Sequence, residues 1–356
     1  MIGRLILALC CLATVAEAAQ RVCAVPPVAC IASGSYLGDG TDDRTIPTAL
    51  DNPVMLFVAR QTNVPDVAYW RSDTMGAGDT SCAMAHLSGA TCTTNRIQAM
   101  TSGSFQVGTA LNTLNVTYNW YAWRDIPDHM ETFEYTGNGT SPRTIALSFT
   151  PDWCGMQLAH DNTAFLPDGF FVRSDAMPAT TSFTIQANAA TAGETDLITA
   201  LTTLGFIVQS GANESGKTYR GWCWKAGDHY GQVLHWTGTG SGLNANCANA
   251  ADVQTVTVPG AGTLQFVMFT ACTAVTCDGG ACGTHFSATG WRSQQTTAPS
   301  AAYFQWPLQP DGTGQIQNLT SSSFDVAGGP SQIGGGAGLN DLGRNYYGFA
   351  IMCGAP

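Results

Sequence analysis

The sequence predicts an all-β protein built as three tandem antiparallel β-sandwich domains, jelly-roll-like and stapled by disulfides. Three observations carry that expectation. A set of motifs recurs at the size of a domain, short alternating apolar runs are broken by turn residues, and a chain with only 11% charged residues holds 13 cysteines.

The recurrence begins without a gap. Tyr36-Leu37-Gly38-Asp39-Gly40-Thr41 and Arg44-Thr45-Ile46 return 99 residues later as Tyr135-Thr136-Gly137-Asn138-Gly139-Thr140 and Arg143-Thr144-Ile145. Trp70-Arg71-Ser72-Asp73 returns as Val172-Arg173-Ser174-Asp175 and again as Trp291-Arg292-Ser293. The pairs Ile97/Phe105, Ile198/Phe206 and Ile316/Phe324 share a spacing of eight. A period near 100 residues exceeds a solenoid unit and matches a domain. The expected division is a leader over 1–18, an arm over 19–34, and repeats over 35–125, 131–226 and 232–353.

The second repeat shows the elements in order. Residues 132–135 and 143–149 alternate apolar and polar side chains around the turn Gly137-Asn138-Gly139, which predicts a pair of strands. Residues 153–158 read as a strand with one buried face, and 169–173 and 182–187 as further strands. Leu197, Ile198, Leu201 and Leu204 fall at helical spacing and predict one short helix. Strands at 205–208 and 219–224 close the unit, with Trp222 and Trp224 on the same face. The third repeat gains insertions at 241–253, 270–283 and 328–338, and insertions fall on surfaces. The linkers over 125–131 and 226–231 are short, so the three units should pack as a compact or rod-like row.

Compartment follows from both ends of the argument. Arg4, the apolar run 5–15 and Ala16-Glu17-Ala18 have the form of a cleavable export leader, which predicts a secreted or cell-surface protein. A net charge of −11 with two lysines, Lys217 and Lys225, excludes a nucleic-acid footprint, and no later apolar run predicts membrane insertion. Cysteines in an exported chain read as disulfides. Expected pairs are Cys23–Cys30, Cys82–Cys92, Cys154–Cys223, Cys272–Cys353 and Cys277–Cys282, with Cys247 left over. The Cys154–Cys223 pair rests on the repeat, because its first-copy counterparts, near Leu56 and at Ala122, are both something else.

The run Tyr135 to Thr140, Arg143 to Ile145, Phe149 to Trp153, Val172 to Asp175, Gly205 to Val208 and Thr218 to Trp224 resembles a domain of phage virion and tail-associated proteins. The resemblance covers all of the second repeat, most of the first and the ends of the third. It implies β-sandwich modules for surface display or attachment, and it brings no catalytic residue.

No Gly-x-Ser-x-Gly elbow or helical His pair is written in the chain. Asp128-His129 and Asp228-His229 sit at matching linker positions, which points to shared linker structure. Glu131, Glu134, Glu194 and Glu214 are the carboxylates open to glycoside hydrolysis. Cys272, Cys277 and Cys282 with His285 could bind zinc, but export favours disulfides. Asp39, Asp42 and Asp43 around Gly40 are the better metal candidate and could hold Ca²⁺, with no other cofactor expected; the alternative is a solvated acidic turn. Trp70 and Trp291 are the candidate exposed stacking platforms, with Arg71 and Arg292 beside them as ligand contacts. The alternative ties these arginines to carbonyls or to carboxylates such as Asp73 and Asp175.

The function expected is a non-enzymatic exported protein for attachment, surface display or assembly, partnered by itself or by a surface glycan or protein. The alternative is a secreted carbohydrate-binding protein or glycan-active hydrolase with its site between domains. Residues 19–33 form an arm that can add a strand to a neighbour's sheet edge or fold back on the first repeat.

Overall fold

The computed structural model describes residues 21–25, 28–60, 68–76, 78, 80–84, 92–159, 170–185, 195–227, 231–239, 253–260, 262–271, 289–293, 302–303, 316–327, 340 and 345–353. Nearly every element is a strand. The first repeat contains β1 (Arg21–Val25), β2 (Val28–Leu37), β3 (Arg44–Pro47), β4 (Pro53–Arg60), β5 (Tyr69–Ser72), β6 (Ser81–Ala83), β7 (Cys92–Thr93), β8 (Ile97–Thr101), β9 (Ser104–Val107) and β10 (Thr117–Arg124). The second contains β11 (Met130–Thr136), β12 (Arg143–Ala146), β13 (Trp153–Ala159), β14 (Phe170–Ser174), β15 (Phe183–Ile185), β16 (Ile198–Thr202), β17 (Gly205–Val208) and β18 (Thr218–Trp224). The third contains β19 (Gly231–Thr237), β20 (Val253–Thr257), β21 (Thr263–Ala271), β22 (Thr289–Ser293), β23 (Ala302–Tyr303), β24 (Ile316–Gln317), β25 (Ser323–Ala327) and β26 (Asn345–Cys353).

One strand order occurs three times. The large sheets run β1-β2-β10-β4-β5-β6-β7, β11-β18-β13-β14-β15 and β19-β26-β21-β22-β23. The small sheets run β3-β9-β8, β12-β17-β16 and β20-β25-β24. The last strand of each repeat therefore inserts between β2 and β4, between β11 and β13, and between β19 and β21 respectively. The recurring isoleucines are equivalent by register, since Ile97, Ile198 and Ile316 pair with Val107, Val208 and Val326.

The helix expected at 197–204 is instead the β16–β17 hairpin. A bulge between Ile198 and Ala200 lets Ile198 face Val208 while Leu201 faces Phe206. The extra residue puts two side chains three apart on one face, which imitates helical spacing. Leu204 lies at the turn and is exposed. The first repeat has the same bulge between Ile97 and Ala99.

Each large sheet buries both faces, where one buried face was expected. Toward its own small sheet, the first repeat packs Tyr36, Phe105 and Trp120, the second Tyr135, Phe206 and Tyr219, and the third Trp236, Phe324 and Tyr346. The opposite faces meet each other. Phe57 contacts Trp222 at 5.4 Å and Phe266 at 6.4 Å between ring centroids, and Trp153 contacts Phe349 at 4.7 Å. All three pairs of repeats thus touch around a common centre, so the repeats form a closed triangle and not a rod-like row. Strands buried on both faces read as near-continuous apolar runs, as in Tyr346-Tyr347-Gly348-Phe349-Ala350-Ile351-Met352.

The N-terminal arm is not free. β2 begins at Val28, inside the stretch read as an arm, and pairs with β10, while β1 pairs with β2. The arm folds back on its own sheet, the second of the two outcomes expected. No described helix is long and apolar enough to cross a membrane.

Candidate functional site

The centre of the triangle is built in layers by register. Trp123, Trp224 and Ile351 lie opposite Met55, Trp153 and Phe266. One step along, Tyr121, Trp222 and Phe349 lie opposite Phe57, Gly155 and Met268. On the outer side the first layer meets Ile31, Met130 and Gly231. The positions are equivalent, but their sizes are complementary. Gly231 lets the Trp224 indole lie against the backbone: a Cβ there would stand 1.8 Å from Trp224 Nε1. A cavity of about 10 Å³ remains, lined by Met55, Trp123, Met130, Trp224, Phe349 and Ile351 among others. That is room for about one water molecule, too little for a substrate.

In the first repeat the Trp-Arg-Ser motif is buried in this core. Trp70 is fully buried, contrary to its expected exposure, and packs edge-on against Trp222 at 5.2 Å. Its indole Nε1 donates to Gln157 Oε1 at 2.8 Å, and Gln157 Nε2 donates to the Ala83 carbonyl at 2.9 Å. Gln157 is itself buried, so this is a polar bridge between the first and second repeats. Arg71 is also buried and donates to the carbonyls of Thr80 and Gly76. Arg173 does the same to Pro178 and Thr181. These arginines tie down the loop after their strand. Trp291 and Arg292 occupy the matching register on β22, opposite Met268 and Val267; their side chains lie outside the described residues.

The acidic turn is likewise committed. Asp39 Oδ1 accepts from the Thr41 amide at 2.9 Å, the Thr41 hydroxyl at 2.6 Å and Asn112 Nδ2 at 2.6 Å. Asn138 Oδ1 accepts from Thr140 and Asn213 in the same pattern. The turn therefore needs an acceptor at that position and not a charge. The Thr41 hydroxyl, with help from Asn112 and Arg44, holds the Asp39 carboxyl below the usual range. Asp42 Oδ1 accepts from the Asp43 amide and Gln98. Among the described residues, no group of three or more His, Cys, Asp or Glu side chains is placed to hold a metal ion.

Behind each such turn stands a buried asparagine that the sequence reading missed. Asn112, Asn213 and Asn340 are at most 1% exposed, and their Oδ1 atoms accept the amides of Asp39, Asn138 and Thr239. Arg44 and Arg143 bond the same Oδ1 atoms and the carbonyls of Leu37 and Thr136. Gln254, the third-repeat counterpart by register, donates to the Thr237 carbonyl at 3.1 Å. Tyr36 and Tyr135 donate to the carbonyls of Leu111 and Ala212 at 2.6 and 2.5 Å, and burial raises both phenols well above their usual range. The signal was present: Asn112 and Asn213 share the offset of Ile97 and Ile198.

The remaining candidates disperse. Glu131 accepts from the Ser148 amide and hydroxyl, and Glu134 from Arg220. Three positions apart on β11, they leave opposite faces and form no acid pair. Glu214 lies at a turn, and Glu194 falls outside the described residues. The linkers share a structure, with bridges Ile126–Met130 and Gly227–Gly231, while Asp228 and His229 are outside the described residues.

A family model described as a domain of unknown function (DUF7483) matches residues 125–260. That span is the first linker, the whole second repeat and the opening strands of the third. No curated protein matches the chain.

Two expected disulfides are present. Cys154 and Cys223 are bonded across directly opposed positions of β13 and β18, and Cys82 and Cys92 across β6 and β7. The first-repeat counterparts of the former are Leu56 and Ala122, as expected. In the third repeat the matching pair is Val267 and Ala350. Cys353 pairs instead with Thr263, while Ala271, the residue before Cys272, pairs with Tyr346 at the far end of the ladder. The Cys272–Cys353 pairing was inferred from a correspondence that the register does not support. Cys247, Cys272, Cys277, Cys282 and His285 lie outside the described residues, as do the side chains of Cys23, Cys30 and Cys353.

Proposed function

We propose that this chain is an exported, non-enzymatic β-sandwich protein for attachment, surface display or assembly, a role akin to that of a fibre, surface-layer or virion subunit. The observation that carries the reading is the closed triangle. The residues that recur most strongly, the Trp-Arg-Ser motif and the turn-anchoring Tyr, Arg and Asn, are spent on joining strands, loops and repeats. Among the described residues none of these converges on an open cleft. Two disulfides fit an oxidising compartment.

The triangle has two unlike ends. At the linker end the connections after β5, β14 and β22 are eight residues each. At the other end those after β13, β15, β19 and β21 run from ten to seventeen residues. Long connections held on a rigid scaffold are where binding surfaces reside. Electron microscopy of the purified protein alongside a glycan array tests the reading. Ordered assemblies or binding to a surface partner without turnover is expected. Polysaccharide hydrolysis lost in a Glu131→Gln, Glu134→Gln variant would overturn it.

A further inference from the structure

We infer that Asn115 is a glycan acceptor, and that the sugar it receives covers two exposed leucines at the tip of the first repeat. Four Asn-x-Ser/Thr acceptor runs are written in the chain, beginning at Asn115, Asn138, Asn213 and Asn318. An acceptor asparagine needs an accessible side-chain nitrogen and room for a bulky polar group. Asn213 is fully buried and bonded through both its side-chain atoms, so it has neither. Asn318 Nδ2 is taken by Asp325 Oδ2 at 2.7 Å. The Asn138 side chain is gripped by Thr140 and Asn213. Asn115 is exposed, and its side chain makes no hydrogen bond among the described residues. Its backbone N–H donates to the Gly38 carbonyl at 2.9 Å, which holds the turn in place without using the side chain.

The second repeat shows that the fold does not require this asparagine. Thr117 and Thr218 are equivalent by register, which aligns Asn115, at φ 61°, with Gly216, at φ 77°. Glycine and asparagine both tolerate that backbone. Asparagine in place of glycine therefore makes an acceptor run of a threonine that both repeats hold. Around it the first repeat is apolar where the second is polar. Leu114 is 62% exposed and Leu37 38%, and their counterparts are Ser215 and Thr136. Leu114 lies against the glycine turn, since a Cβ at Gly40 would stand 3.6 Å from Leu114 Cβ. Leu37 pairs with Thr117, so the leucines and the acceptor run share one tip. The Cys82–Cys92 and Cys154–Cys223 bonds fit the oxidising lumen where such transfer takes place. In the step, Asn115 Nδ2 bonds C1 of an oligosaccharide carried on a polyprenyl diphosphate. The bond from C1 to the diphosphate oxygen breaks, its electron pair leaves on the diphosphate, and Nδ2 gives one proton to a base of the transferase.

The test expresses the full chain in an N-glycosylating eukaryotic cell and collects the secreted protein. Peptide N-glycosidase in heavy-oxygen water converts each glycan-bearing asparagine to a labelled aspartate, which mass spectrometry reads residue by residue. Label at Asn115 is expected in most secreted chains, and none at that position in Asn115→Gly or Thr117→Val, the first of which takes the residue that the second repeat has. Removing the glycan should raise the binding of a hydrophobic dye several-fold, and Leu37→Thr with Leu114→Ser should abolish that rise. Secreted, disulfide-bonded chains with Asn115 unlabelled overturn the acceptor assignment. Label at Asn115 with dye binding unchanged on glycan removal overturns the covering role.

Discussion

Replacing Gln157 with leucine should destabilise two repeats at once. The side chain fills a buried position and serves two buried partners from another repeat, the Trp70 indole and the Ala83 carbonyl. Leucine is similar in size, so packing is nearly kept and the loss is polar. A buried donor or acceptor left without a partner costs roughly 1–3 kcal/mol. Two such groups give a loss of about 2–6 kcal/mol, against total stabilities of about 5–15 kcal/mol. Urea unfolding followed by tryptophan fluorescence and by far-ultraviolet circular dichroism measures it. The two probes should shift together, because Trp70 and Gln157 belong to one core. Trp70→Phe should cost less in this background than alone, because the orphaned N–H goes with the indole, giving a coupling above about 0.5 kcal/mol in the double-mutant cycle. A Gln157→Leu effect within about 0.5 kcal/mol, the scale of a surface change, would refute the shared core.

Cys154→Ala with Cys223→Ala should cost about 2–5 kcal/mol, and peptide mapping without reductant should recover the two cysteines of the wild type joined. Gly231→Val should lower the unfolding midpoint more than Gly216→Val, because the added carbons collide with Trp224, whereas nothing lies within 4 Å of a Cβ at Gly216 and the cost there is only that of its positive φ of 77°; equal effects would show that the collision costs no more than that strain. Burial, together with the neighbouring carboxylates Asp73 and Glu131, raises Asp125, and burial with Asp152 raises Asp175. The folded state holds these protons more tightly than the unfolded chain does. Their stabilisation is therefore complete below the ordinary aspartate value of 3.8 and fades as pH rises through their raised values. The urea midpoint should rise as pH falls through their raised values toward 3.8, and a steady fall over that approach contradicts the assignment. Asp39, held low by Thr41, works in the opposite sense at more acidic pH.

Some of this was legible because identity recurs where each repeat solves the same local problem. Tyr36/Tyr135, Arg44/Arg143 and Arg71/Arg173 serve their own repeat's turns and loops, so each copy needs them. The Cys154–Cys223 bond was readable for the same reason, its absent counterparts being lost as a pair. The central packing was not readable, because its positions fill one space jointly. Ile31, Met130 and Gly231 are equivalent, as are Phe57, Gly155 and Met268, and a large residue in one copy requires a small one in another. A search for identity is blind to complementary sizes. Trp70 was placed outside for a related reason: a tryptophan beside an arginine reads as an exposed platform until its strand is known to be buried on both faces. Gln254 was missed because a neutral amide replaced the arginine of the other copies while keeping its bond to the strand-end carbonyl.

The last strand closes two things together. β26 completes the third sandwich, and through Phe349 and Ile351 it supplies one side of the common centre. Until those residues join, Trp123, Trp222 and Trp224 have no third wall, and the preceding repeats expose a broad aromatic surface. A variant lacking β26 should therefore expose that surface and aggregate although two of its three repeats are whole.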